Sequence, residues 1–308
     1  MESHLENARA AAIRPAKRTR WSEELEAYVY IAPAMAVLIF VFIYPIVQMF
    51  RYGLMDDLAT GERIFVGLRN YHMLMADSIF WTAIRNNLLL FLCIPILLFL
   101  SVIIAALLYD RVAGWQAYRV IIFMPYMMAI VVVGIAFSYI LQLRGALNFI
   151  LTGLGLGFLK QDWIGAMPWA FVSIAAVVIW REMGFGSILF LARLMSVSEE
   201  LYDAAKVDGA SWFQRLLHVT IPELRNVMAF WATILAVEMF AWVFNYVYVM
   251  TQGGPSFKTV VSEYYIYLHA FKYNSMGTAT AFSSLLFLAA AIVMFVQLSL
   301  RERMEENE

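Results

Sequence analysis

The sequence is poor in charge and almost without cysteine. Charged residues fill 15% of its 308 positions, where a water-soluble domain carries about 25%. Apolar and aromatic residues take up the difference at 63%, against about 45–50% in a soluble chain. A soluble enzyme is disfavoured by that balance. Lysine and arginine number 22 against 23 aspartates and glutamates, for a net charge of −1. Such a chain has no general positive field for DNA or RNA. Cys93, the single cysteine, lies inside an apolar run and has no partner for an intramolecular disulfide, which excludes a disulfide-stapled extracellular scaffold.

Motifs of self-contained catalysis are also missing. No Gly-x-x-x-x-Gly-Lys-Ser/Thr loop occurs, so the chain does not cradle a nucleoside triphosphate in the usual way. His4, His72, His218 and His269 have no metal-ligand spacing, and neither His-Glu-x-x-His nor Gly-x-Ser-x-Gly is present. Gly153, Gly155 and Gly157 alternate without a preceding strand, which reads as a flexible loop between spans. No cofactor and no metal is expected on this chain.

What is present is a series of long apolar runs. A bilayer core needs roughly 20 apolar residues in a helix, and six such runs lie at 28–50, 87–109, 120–141, 168–191, 227–250 and 279–300. They are continuously apolar rather than alternating, so helices and not barrel strands are required. The fold class is therefore an all-α integral membrane protein with six transmembrane helices. Its domain would cover 28–300, with a tail at 1–27, a long interspan loop at 192–226 and a tail at 301–308. The first run, at 23 residues and followed by five more, reads as a retained helix rather than a cleaved signal. With both termini inside, the inner segments hold five basic residues in the N-terminal tail, then Arg111, Arg119, Arg193, Lys206, Arg215, Arg225, Arg301 and Arg303, or 13. The outer segments hold 8, so the positive-inside rule places both termini in the cytoplasm.

The loop between the fourth and fifth runs carries the most information. Ser196 and Glu199 have the spacing of a capping box, and Leu201, Ala204, Ala205 and Val207 recur at helical intervals up to Asp208-Gly209. A second amphipathic stretch follows, with Trp212, Phe213, Leu216, Leu217 and Val219 on one side, until Pro222 interrupts it. Two short amphipathic helices can lie on a lipid surface or insert into a groove of another protein.

This loop resembles that of binding-protein-dependent ABC importer permeases, whose pattern is Glu-Ala-Ala, three residues, Gly, and later a hydrophobic-Pro ending. Asp203, Ala204, Ala205, Gly209, Ile221 and Pro222 match it, with Asp203 in place of the usual Glu. Asp208-Gly209-Ala210, the stretch from Asn245 to Pro255, and Ala270-Phe271 with Gly277 and Ala279 are similar to the carbohydrate-uptake branch, of the maltose and glycerol-phosphate permease type. The resemblance implies a homologous second permease subunit, two cytoplasmic ATPase subunits that bind ATP and Mg, and an extracytoplasmic solute-binding protein. It further implies a bacterial or archaeal inner membrane, no catalysis by this chain, and docking of the ATPase on Glu200, Asp203, Ala204, Ala205, Asp208, Gly209, Ile221 and Pro222.

Three charges sit inside the apolar runs, where they are costly and mark functional candidates. Arg181 and Glu182 interrupt the fourth run and Glu238 the fifth. Adjacent helical residues point about 100° apart, so Arg181 and Glu182 are expected to need other partners. Counted from the outer ends, Arg181 lies about 20 Å deep and Glu238 about 18 Å deep, which leaves an Arg181–Glu238 salt bridge open. Glu238 shares a helical face with Trp242 and Asn245, beside Tyr246. That face can line a sugar pathway or only glue helices together. Two rivals remain on these residues: a secondary transporter with Glu182 and Glu238 as a proton relay, and a membrane enzyme, for which no catalytic constellation gathers.

Overall fold

A computed structural model describes residues 20–57 and 62–305; the expected tails therefore fall partly outside the described residues, at 1–19 and 306–308. The chain forms two compact units, Met1–Arg51 and Tyr52–Glu308. The first unit carries α1 (Arg20–Val37), which continues through a π-helical turn at Leu38–Ile43 into α2 (Tyr44–Gly53), whose last two residues belong to the second unit. Tyr28–Gly53 has the length and hydropathy of a membrane span.

The second unit opens with a hairpin, β1 (Met55–Asp57) antiparallel to β2 (Arg63–Phe65) with Met55 opposite Phe65. Next comes α3 (Arg69–Ala76), from which buried Asn70 donates to the Gly53 and Met55 carbonyls at 3.0 and 2.8 Å. Asp77 then caps α4 (Ser78–Leu90), accepting from the Ile79 amide at 2.8 Å. α5 (Cys93–Tyr109) continues it, so this span runs from Ser78 and not from position 87. The apolar run expected at 87–109 begins on Asn87 and leaves Asn86 outside, yet both are buried. Each finds partners across the fold: Asn86 donates to the Lys258 and Val260 carbonyls, and Asn87 donates to Met239 and accepts from the Ser262 amide, all at 2.8 Å. Buried amides are tolerated when hydrogen-bonded.

The third expected span is two helices, α6 (Trp115–Met127) and α7 (Ile130–Ile140), bent by 98° at the break. Pro125 in the last turn of α6 removes an amide donor, and Met128 and Ala129 then adopt extended backbone. A short helix, α8 (Ala146–Gly153), precedes the fourth span, α9 (Trp169–Leu194). α9 packs most extensively on α5 and α6. Small residues permit that approach: a Cβ at Gly186 would stand 2.6 Å from the Ser101 hydroxyl and 2.7 Å from the Trp231 indole nitrogen.

The interspan loop holds α10 (Glu199–Val207) and α11 (Trp212–Arg215). α11 does not stop at Pro222. It passes through a π-helical turn at Leu216–Thr220 into α12 (Ile221–Ala241), making one helix of 30 residues from Trp212 to Ala241. Pro222 sits in the first turn of α12 next to the wider turn, where its missing amide is accommodated. The fifth span accordingly ends at Ala241 rather than 250. Trp242, at φ −119°, turns the chain into α13 (Val243–Tyr246) and a π-helical turn at Val247–Thr251. A turn-rich segment and α14 (Ser262–Tyr267) lead to the last span, α15 (Met276–Glu305). Five helices are thus long and apolar enough to cross a membrane among the described residues, and the bent pair makes a sixth.

Candidate functional site

Two places gather the residues singled out above. The first is the loop helix α10. Its N-cap is Ser198, whose side chain accepts from the Glu200 amide, rather than Ser196. Ser196 instead donates to the Arg193 carbonyl at 2.7 Å, closing the end of α9. Tyr202 is the buried anchor of α10: its hydroxyl lies 3.1 Å from that of Thr220 and its ring 5.0 Å from that of Tyr109 at the end of α5. Trp212 adds a bond from its indole nitrogen to Asp110 at 2.8 Å. The spans are therefore tied to both loop helices through Tyr109, Asp110 and Thr220, three residues that the sequence pattern did not mark.

The opposite face of α10 is open. Leu201, Ala204 and Val207 are exposed, Val207 at 87%. Glu200, Asp203 and Asp208 are also exposed, and Asp203 pairs with Lys206 one turn on at 2.9 Å. Ala205 is half-buried. Asp208 closes the helix, and Gly209 follows at φ +76°, a conformation that favours glycine, with nothing within 4 Å of where a Cβ would lie. Ile221 is half-buried and Pro222 exposed at the start of α12. A cleft of about 370 Å³ lies between α10 and the α5–α6 connection, lined by Asp110, Arg111, Arg119, Glu199 and Lys206 among others.

The second place is a pocket of about 190 Å³ where α6, α7, α9, α12 and α13 meet. It brings together Arg181, Glu182, Glu238, Trp242 and Tyr246. Asn245 is outside it and donates to the Trp242 carbonyl at 3.4 Å, because the turn at Trp242 breaks the helical face that Asn245 was expected to share with Glu238. Tyr126, Ile130, Val178, Met239 and Val243 complete the lining. Of these, Tyr126 had one sequence signal, its place next to Pro125 inside an apolar run.

The charges pair differently from the expectation. Arg181 bonds through Nη1 to Glu182, its neighbour in sequence, and both side chains are buried, at 11% and 5% exposure. The two bonds to α9 do point apart, but the long arginine side chain folds back over the difference. Its other donors reach the bend: Nη2 to the Tyr126 carbonyl at 3.1 Å, and Nη2 and Nε to the Met128 carbonyl at 3.4 Å. A broken membrane helix leaves carbonyls without intrahelical partners, and Arg181 supplies donors to two of them. The guanidinium also lies 4.8 Å from the centre of the Tyr126 ring. Glu238 faces the same pocket but forms no salt bridge with Arg181 among the described residues.

These features define a helical membrane protein with a two-helix interspan loop and a polar pocket among its spans, and comparison with known proteins places it. The family of binding-protein-dependent transport system inner membrane components matches residues 98–306. The chain belongs to that family. It is similar to the lactose transport system permease protein LacF of Rhizobium radiobacter, at 30% identity over 91% of this chain and 95% of that one. It is also similar to the trehalose/maltose transport system permease protein MalF of Thermococcus litoralis, at 29% identity over 90% and 92%. The fold matches a chain of a bacterial ABC transporter involved in the import of the acidic polysaccharide alginate, with a TM-score of 0.79 and 21% identity over 92% and 96% of the two chains. Membership leaves the secondary-transporter reading of Glu182 and Glu238 without support.

Proposed function

We propose that this chain forms one half of the translocation pathway of an ATP-driven importer for a sugar or sugar-like solute. A homologous second permease supplies the other half, two ATPase subunits bind ATP and Mg in the cytoplasm, and a solute-binding protein delivers cargo on the opposite side. The chain itself catalyses nothing, and both termini lie in the cytoplasm. Sugar specificity is supported by the solutes named for the lactose and trehalose/maltose relatives. The half-pathway reading fits the pocket, whose volume of about 190 Å³ is below the roughly 300–1,000 Å³ of a complete small-molecule site.

One observation carries the coupling mechanism. The helix that begins in the docking loop at Trp212 runs unbroken to Ala241 and carries Glu238 into the pocket. From Trp212 to Glu238 it is about 39 Å long at roughly 1.5 Å per residue. When the ATPases close, they move α10, and the Tyr202–Thr220 bond passes that motion into the same rod, whose first turn Trp212 ties to Asp110 at the end of α5. The expected outcome is hinge movement that opens the pocket to one side at a time. Ala204 and Ala205 let the ATPase approach closely, and Gly209 sets the turn between the loop helices.

Cysteine chemistry tests the assignment. In a Cys93→Ser background, Ala204→Cys should crosslink to the ATPase subunit, Ser256→Cys should label from outside, and Ser211→Cys should label only after permeabilisation. Intact uptake without any Ala204 crosslink removes the docking role. Labelling of Ser256 and Ser211 from the same side removes the topology.

A further inference from the structure

We infer that the pocket beside the bend holds a hydrogen-bond donor of the transported solute on the Glu238 carboxylate, and that it rejects solutes bringing a carboxylate of their own. The inference rests on the pathway reading above and adds a charge rule to it.

Arg181 is the only cation lining the pocket among the described residues. In many sites an arginine reads a carboxylate bidentately, but this one has no free fork to offer. Nη1 is taken by Glu182, Nη2 by the Tyr126 and Met128 carbonyls, and Nε by Met128. Its charge is balanced by Glu182, and four of its five N–H donors are spent on that pair and on the break between α6 and α7.

The acceptors are in the opposite condition. Glu182 uses Oε1 for Arg181, while its Oε2 is buried with no hydrogen-bond partner among the described residues. Glu238 makes no hydrogen bond or ion pair of its own there, although it borders the cavity. Two carboxylates therefore share the site with one internally neutralised guanidinium. The neutral side-chain donors lining the pocket are the Tyr126 and Tyr246 hydroxyls and the Trp242 indole nitrogen, and among the described residues the buried Tyr246 hydroxyl has no hydrogen-bond partner. A solute carboxylate would meet two like charges with only neutral donors free to receive it, in a place where water screens poorly. A sugar hydroxyl or a sugar ammonium group would instead satisfy Glu238, with its apolar C–H face against Trp242, which is 55% exposed. The fold leaves this choice open, since the neighbour that imports an acidic polysaccharide shares it at 21% identity.

The test uses the assembled importer in nanodiscs, with this chain carrying Cys93→Ser and Ile130→Cys. Ile130 borders the pocket and is half-buried, so a small maleimide reports occupancy there. Three probes are compared at saturating concentration: maltose, the glucosamine dimer, and a glucuronate-bearing disaccharide. Maltose and the glucosamine dimer should slow labelling, and the glucuronate sugar should not. Glu238→Gln should weaken protection by maltose about tenfold, abolish any preference for the amino sugar and admit the glucuronate sugar. Glu238→Asp, which keeps the charge, should preserve the exclusion and covers the case in which Glu238→Gln fails to assemble. A preference of the glucosamine dimer over maltose marks an ammonium as the favoured donor, and the reverse order marks a hydroxyl. If the glucuronate sugar protects as well as maltose in the parent, the charge rule is overturned while the pathway reading stands. If none of the three protects although ATP-driven uptake is intact, the pathway reading itself is overturned.

Discussion

Arg181 and Glu182 are consecutive in sequence and ion-paired to each other inside the membrane, with the remaining donors of Arg181 closing the bend between α6 and α7. The pair is thus a fastening for a broken span. Arg181→Met is expected to leave Glu182 buried without its counter-ion, at a cost of about 3–5 kcal/mol. The apparent melting temperature of the purified chain should drop, and adding Glu182→Met should recover much of the loss. A single substitution at Arg181 that leaves thermal stability unchanged would contradict the fastening role.

That pairing shows where sequence reasoning runs out. The apolar runs disclosed the spans and their helical character because a bilayer leaves no other way to satisfy the backbone. The loop helix and its terminal glycine were legible for a similar reason, since Ala204, Ala205 and Gly209 have strong local preferences. Side-chain reach was not legible: the angle between Arg181 and Glu182 argued against a bond that a flexible side chain makes anyway. Nor was the break at Trp242, an ordinary apolar-run residue whose turn separates Asn245 from Glu238. Asn86 and Asn87 look like a boundary in sequence and are a buried clamp in the fold, because their partners lie more than 150 positions away.

Gly209 sits at φ +76° with open space around it. Gly209→Val is therefore expected to act on the backbone alone, costing about 1–3 kcal/mol in that conformation. The spans should still fold and the complex should still assemble. Uptake should fall while ATP hydrolysis continues, measured side by side in proteoliposomes; normal uptake would remove the loop from the coupling path.

The bond between Tyr202 and Thr220 joins α10 to the π-helical turn of the long helix. Tyr202→Phe keeps the ring against Tyr109 and deletes the hydroxyl, at a net stability cost of about 0.5–1.5 kcal/mol. Solute-stimulated ATPase activity should fall several-fold relative to basal activity. Equal loss of both would assign Tyr202 to folding alone.

Glu263 lies in α14, between the fifth and sixth spans, with its carboxylate oxygens shut away from water. Burial pushes its carboxyl up from 4.5 to about 8. Across that window the folded chain keeps a proton that the unfolded chain has released, so Glu263 makes stability fall as pH rises from about 4.5 to about 8 and level off above. Glu263→Gln should remove that slope and leave the variant more stable than the parent at pH 8. Thermal unfolding followed across this range checks it, and an unchanged slope would contradict it.

The most direct measurement is uptake of labelled maltose or lactose into proteoliposomes containing this chain, its partner permease, the ATPase subunits and the solute-binding protein. The expected result is accumulation that requires ATP and the binding protein, falls with Gly209→Val, and persists when a protonophore collapses the proton gradient. Accumulation driven by a proton gradient in liposomes holding this chain without the ATPase would contradict the account.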